Sequence, residues 1–459
     1  MKSLELFIKG GEEQMKKTVA IYLLCGALLS GCTWVNGNKT DNNKTVMKEE
    51  TKSQELVLVM PDNTAASTKY RINTFQKYAK QFETDNPGVH IIIEKLPSQT
   101  YQKDLNARLK EGKQTDLIFA PFYPLLAEAG MYADLFSFFK TERMTTNDLY
   151  ESLTKMATTT TGNLAGIPMS PTPLAVYYNK EWFDKAGISY PGGDWTWEQY
   201  FGISMKLKAA NSVANKEIFG STIPFDPTFL ESFVQSSGSS ILSPDNSKAS
   251  GYLDSRPISD AFALLAHHKN TNNAIKIVDS MGNPTLYEMW DGNVGMSIAP
   301  YGMYSFLEQP TRATAGKTAV APLPRLEKGK KVNSVGIQTL SIAAISKQQE
   351  LAWKFIKDVI LNSDSGFHKE WSRQELLTSK SAIQKLSQAS DPVIKVFLEE
   401  LNFGFTPVAY RNPVLPSLLS KKTIESVIDA PTSEAVQTEL ASAAHTIDQQ
   451  LALAAQQQK

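Results

Sequence analysis

The apolar positions of the first hundred folded residues alternate between two periods. Glu55–Met60 (ELVLVM) is a short apolar run of strand type, and Ile72, Phe75, Tyr78, Ala79 and Phe82 then recur at helical spacing on one stripe. Asn86-Pro87-Gly88 breaks that helix as a turn, and Val89–Ile93 (VHIII) is rich in strand formers. Tyr101, Leu105 and Leu109 predict a second helix, stopped by Gly112, and Asp116–Phe119 (DLIF) predicts a third strand ending at Ala120-Pro121. This strand-helix-strand-helix-strand order predicts an α/β fold with a parallel sheet covered by helices, in which ligands bind beyond the carboxyl ends of strands. The loop Pro121-Phe122-Tyr123-Pro124 follows such an end. Further on, Asp194 or Thr196 is placed to cap a helix running through Phe201 and Leu207.

The N-terminal pattern is of another kind. Met15-Lys16-Lys17 is followed by an uninterrupted apolar run, Val19–Leu29, and then by Leu29-Ser30-Gly31-Cys32. A helix of that run reaches roughly 16 Å, short of the ~20 residues a hydrocarbon core requires, so residues 1–31 read as a secretory signal peptide. The mixed-charge residues before Met15 suggest Met15 as the true start. Residues 32–54, rich in Asn, Lys, Thr and Glu, have too little apolar content to order themselves and read as a flexible tether.

Composition narrows the function. Lys plus Arg and Asp plus Glu are both 47, giving zero formal charge, so no basic excess points to nucleic acid. The two cysteines, Cys25 and Cys32, both lie in the N-terminal segment, which leaves the remainder free of thiols and suits an oxidising extracytoplasmic compartment. Leu29–Cys32 resembles the lipobox of bacterial lipoproteins, which implies lipidation of Cys32 as a membrane anchor and removal of Cys25. Thr33-Trp34 after that cysteine, with no aspartate, favours a Gram-positive surface over a periplasm.

The middle of the chain reads Gly166-Ile167-Pro168, then Ala175–Ile188 (AVYYNKEWFDKAGI), then Asp194–Glu198 (DWTWE). These segments resemble the signature of the extracellular solute-binding proteins family 1, the carbohydrate-binding lipoproteins of bacterial ABC importers related to maltodextrin-binding protein. The segments NPGVHI, TDLIFAP, MWDGNVGMSIAPYGMYSF, SVGIQTLSIAAISKQQELAWKFIKDVI and EAVQTELASAAHTIDQQL fall in the family's order, so the likeness runs from about Glu55 to Leu451. It implies two α/β lobes with a ligand cleft at a hinge. The expected lobes are residues 55–170 with 333–380 and residues 171–332 with 381–459. The crossovers are expected near Pro168–Pro173 and Ala321–Asn333. The implied partners are a carbohydrate, expected to be an oligosaccharide, the ABC permease subunits and the lipid anchor; no cofactor is implied, and the protein is expected to act as a monomer.

Sugars are held by flat aromatic rings against their C–H faces and by planar polar side chains on their hydroxyls. The positional candidates are Phe122 and Tyr123 after the third strand and Tyr301 and Tyr304 after the GMSI run, where the family usually places a tryptophan. Phe225, Asp226 and Phe229 occupy a stretch resembling the family's second-lobe sugar contacts, and Trp290 ends a helix. The segment Met169–Pro173 lacks the carboxylate that many relatives carry, leaving Ser170 and Thr172 as its hydrogen-bonding groups. Arg411 is a polar candidate that would also suit an acidic sugar. Core packing competes with ligand binding for each of these aromatics, and Trp182, Trp195 and Trp197 read as structural.

Catalysis finds little support. The adjacent His267-His268 point to different helix faces without a spaced partner, so no metal site is proposed. Gly316-Lys317-Thr318 resembles the end of a phosphate-binding loop, but Thr311 stands where its first glycine belongs. No GxSxG motif or folded-region cysteine supplies a nucleophile. The expected protein is a non-enzymatic, extracytoplasmic capture lipoprotein of an ABC importer. The alternatives are a sensory or non-transport lipoprotein of the same fold and a binder of a non-sugar solute.

Overall fold

The computed structural model describes residues 53–278, 288–408, 415, 419 and 421–457. Twelve strands lie among them: β1 Gln54–Asp62, β2 Val89–Pro97, β3 Leu117–Pro121, β4 Ile167–Thr172, β5 Leu174–Asn179, β6 Phe219–Pro224, β7 Ile275–Val278, β8 Val294–Pro300, β9 Thr318–Ala321, β10 Asn333–Ser334, β11 Gly336–Ile342 and β12 Gly404–Phe405. The first sheet has the order β2-β1-β3-β11-β4. Its β1, β2 and β3 are parallel, as the alternating periods predict, and the intervening helices span Ala66–Asp85 and Tyr101–Lys110. Strand β11 returns from a distant part of the chain and inserts antiparallel between β3 and β4. That leaves β4 at the edge, where Pro168 and Pro171 remove few ladder bonds.

The second sheet, β7-β6-β8-β5-β9, is mixed: β6, β7 and β8 run parallel while β5 lies antiparallel between β8 and β9. The chain passes from first sheet to second through Pro173 alone, between Thr172 and Leu174. It returns between Ala321 and Gly336, and a third connection follows at β12, which pairs in parallel with β10. Because β4 runs parallel to β3, Thr172 lies on the same edge as Pro121. Because Leu174 pairs with Pro300, the carboxyl end of β8 lies beside the start of β5. The carboxyl-terminal edges of the two sheets therefore both border the crossovers.

Each sheet carries an aromatic core. In the first, Phe75 meets Phe119 at 5.0 Å and Trp371 edge-on at 5.6 Å. In the second, buried Trp197 is ringed by Tyr200, Phe229 and Phe233 at 5.3–5.6 Å. Thr196 caps the helix Trp197–Asn211 through a reciprocal capping box with Gln199. Asp194, the other candidate cap, instead binds the Arg325 guanidinium through both carboxylate oxygens at 2.6 and 2.7 Å. That helix approaches β6 so closely that a Cβ on Gly220 would lie 1.7 Å from the Ser204 carbonyl oxygen.

The C-terminal part departs from the expected handover at residue 381. Phe397 lies against Tyr177 of β5 and against Tyr301, whereas Ser379 and Ser381 both bind Asp148, and Ala382, Ile383 and Leu401 pack in the core cluster of the first sheet. The second cluster resumes with Leu415 and Leu419 and continues through Ile424, Leu440 and Ile447. Hydrogen bonding at the Asp148 loop, which the sequence pattern does not reveal, holds these residues to the first lobe.

The crossovers are clasped by buried polar groups. Asn333, fully buried, accepts from the Leu174 N–H at 2.9 Å and donates to the Leu174 carbonyl at 2.8 Å and to Glu400 at 2.7 Å. Leu174 faces Pro300, which has no N–H to offer, so the Asn333 amide supplies what the ladder lacks. Glu400, also fully buried, pairs with Lys331 at 3.0 Å. Burial pushes its carboxyl above the usual range, against the pull of Lys331 and Asn333.

Candidate functional site

At the carboxyl edge of the first sheet, beside the crossovers, a pocket of about 230 Å³ opens. Pro121 and Phe122 line it from the end of β3, Thr172 from the end of β4, and Val335 to Gln338 from the start of β11; Met156 and Thr406 complete it. The Phe122 amide donates to the Ile337 carbonyl at 3.0 Å, which holds the loop against β11. The Thr172 hydroxyl donates to the Gly336 carbonyl at 3.2 Å and keeps its lone pairs for a ligand. Thr406 Oγ1 is buried and has no hydrogen-bond partner among the described residues. With the amide of Gln338, these groups give one aromatic wall and three adaptable polar side chains.

The other aromatic candidates divide into separate groups. Tyr123 is half-buried and stacks on Tyr101 with ring centroids 6.4 Å apart. Burial pushes its phenol up to about 12, so it stays a neutral hydrogen-bond donor. Tyr301 and Tyr304 start the two short helical turns after β8 and form a platform with Tyr177 and Phe397. Tyr177 and Tyr304 stack at 6.4 Å, while Tyr301 meets Phe397 edge-on at 5.3 Å. The Tyr177 hydroxyl donates to the Pro300 carbonyl at 2.8 Å, anchoring the platform to the end of β8. Burial, with lesser help from Asp391 and Glu375, pushes Tyr301 up to about 12.

Four candidates take structural positions. Phe225 and Phe229 are 5% and 2% exposed within the second core, where Phe229 packs on Trp197 and Phe233. The Asp226 carboxylate caps the helix Pro227–Ser236 by accepting from the Thr228 N–H at 2.8 Å. The stretch whose resemblance suggested a ligand segment thus starts the helix Pro227–Ser236 and feeds the second core. Trp290 is buried too, with the Arg312 guanidinium 4.3 Å from its ring centre and Phe306 stacked at 6.1 Å. Trp195 and Trp197 are core residues, and the Trp195 indole donates to the Pro322 carbonyl at 2.7 Å. Arg411, Cys32 and the signal segment lie outside the described residues.

Sequence reasoning missed Gln338, Thr406 and Met156. Gln338 carried a usable signal, a polar amide near the start of a strand; Thr406 and Met156 carried none, because the fold alone brings them to β3 and β4. Among the described residues, no group of three or more His, Cys, Asp or Glu could hold a metal ion, and no helix is long and apolar enough to cross a membrane.

Comparison with known proteins agrees with this architecture. A binding protein of Brucella abortus is 23% identical over 305 residues, which cover 65% of this chain and 69% of the relative. The sugar-binding protein MalE of Xanthomonas citri superimposes with a TM-score of 0.71 at 15% identity, over 88% of this chain and all of its own. An ABC substrate-binding protein of Listeria monocytogenes, in complex with cycloalternan, gives a TM-score of 0.63 at 16% identity, covering 87% of this chain and 98% of that one. A solute-binding protein of Thermotoga lettingae bound with α-D-tagatose gives 0.62 at 20% identity, covering 87% and 100%. These likenesses establish the two-lobe α/β fold. Residues 65–362 match the model of the bacterial extracellular solute-binding proteins, and the chain belongs to that family of binding proteins.

Proposed function

We propose that the protein captures a carbohydrate in the cleft at its crossovers and delivers it to an ABC permease, tethered to the outer face of the cell membrane through lipidated Cys32. The observation that carries this reading is the pocket at the carboxyl edge of the first sheet beside the crossovers, with Phe122 as a flat wall and Thr172, Gln338 and Thr406 as hydroxyl-binding groups. Its volume of about 230 Å³ lies below the ~300 Å³ at which drug-sized pockets begin, so it suits a single sugar ring. A longer glycan would extend from it along Tyr123 or the Tyr301–Tyr304 platform. Relatives of this fold whose structures contain cycloalternan or tagatose support a carbohydrate over other solutes. The lobe division follows the two sheets, with β10 and β12 between them.

Thermal-shift screening against mono- and oligosaccharides, peptides and polyamines tests the ligand class. A ligand held only by the native state adds about 2.7 kcal/mol at a hundredfold excess over its Kd. Stabilisation by saccharides supports the reading, and stabilisation by peptides or polyamines alone refutes it. Cys32→Ala tests the anchor: the variant should leave the membrane fraction, and unchanged membrane association would remove Cys32 from that role.

A further inference from the structure

A second, small cavity of about 20 Å³ lies in the first lobe, lined by Leu149, Ile167, Ser170, His368, Trp371 and Thr378 among others. Three buried polar atoms belong to its lining: Ser170 Oγ, His368 Nε2 and Trp371 Nε1, on residues 1%, 5% and 1% exposed. None has a hydrogen-bond partner among the described residues. The other polar side chains of the lining are engaged elsewhere. Thr378 Oγ1 donates to the Pro168 carbonyl at 2.9 Å, and Ser379 Oγ donates to Asp148.

We propose that Ser170, His368 and Trp371 form a binding site for one structural water that fastens the crossover strand to the first lobe. A water requires roughly 10–15 Å³ of such space and two to four polar partners, and this cavity offers both. The donor and acceptor roles match. Trp371 Nε1 can only donate. Burial holds the His368 imidazole below its usual range and so neutral, which leaves one of its ring nitrogens able to accept. Ser170 Oγ can do either. A water accepts from Trp371 and donates to His368 and Ser170, satisfying all three at once.

The position gives that water a role. Ser170 is in the left-handed region, with φ 43°, beside the register shift where Gly336 pairs with Thr172 and Gln338 pairs with Met169. The strand is irregular there, next to Pro171 and the crossover at Pro173. A water bound to the Ser170 hydroxyl holds this irregular residue to the helix Gly366–Trp371 while Thr172 beyond it faces the ligand pocket.

A crystal structure of the wild-type chain at a resolution that orders internal waters tests the site. One peak within ~2.7–3.2 Å of all three atoms supports it. No peak, or direct hydrogen bonds among the three side chains, overturns it. Magnetic relaxation dispersion provides a second measurement that counts long-lived internal waters in solution. The Trp371→Phe, Ser170→Gly double variant should lose one such water relative to wild type, and an unchanged count in that folded variant would also overturn the proposal.

Discussion

Asn333 carries the connection between the two crossovers, and Asn333→Ala should measure its worth. The substitution leaves the Leu174 N–H and carbonyl and one oxygen of fully buried Glu400 without their partners. Each buried polar group so orphaned costs about 1–3 kcal/mol, and more where a charge is concerned. A loss of about 3–6 kcal/mol follows, allowing for water entering the space the amide vacates. Pro300 cannot replace the missing donor, because it has no N–H. Asn333→Asp should cost more than Asn333→Ala, since it removes the donor and sets a second carboxylate against Glu400. Denaturant unfolding followed by tryptophan fluorescence and by circular dichroism reads the loss. A change below about 1 kcal/mol, the size of an ordinary surface substitution, would refute the clasp.

Three further outcomes can be checked with single variants. Glu400 has a raised folded pKa, so the stability it contributes is present below its unfolded value near 4.5 and lost as pH rises through the folded value. Glu400→Gln should therefore flatten the fall in melting temperature above pH 4.5, and an unaltered pH profile would show that Glu400 does not titrate in this way. Gly220→Ala forces a Cβ against the Ser204 carbonyl and should destabilise by about 1–3 kcal/mol or more in thermal melts, whereas a neutral result would deny the close helix-strand approach. Tyr301→Ala and Tyr304→Ala should each weaken saccharide binding about tenfold, the loss of one ring contact of ~1.4 kcal/mol, without unfolding; unchanged affinity in both would remove the platform from the site.

The elements that the sequence made legible are those whose signal is local. The periodic run through Ile72, Phe75 and Phe82 and the apolar strands at 55–60, 89–93 and 116–119 depend only on their own residues, and they fold as expected. So does the βαβαβ order, which follows from them. The departures arise from long-range geometry. Asp194 is claimed by Arg325, 131 positions away, leaving Thr196 to cap the helix. Phe229 has the same local pattern whether it faces a ligand or Trp197, and only the packing of helix Pro227–Ser236 decides. Asn333 reads as one asparagine in a polar stretch, and its role exists only once β5 and Glu400 are beside it. The pocket is legible in part for the same reason. Phe122 follows a strand end visible in the sequence and Thr172 lies on the expected crossover, while Met156 and Thr406 reach the pocket from segments with no such mark.

If a carbohydrate binds at the carboxyl edge of the first sheet beside the crossovers, calorimetric titration of the chain from Thr33 onward with saccharides will show it. Saturable one-to-one binding of at least one saccharide is expected, weakened tenfold or more by Gln338→Ala with the fold intact. Binding of that saccharide with undiminished affinity in Gln338→Ala and in Phe122→Ala, or binding of peptides or polyamines and no saccharide, would contradict it.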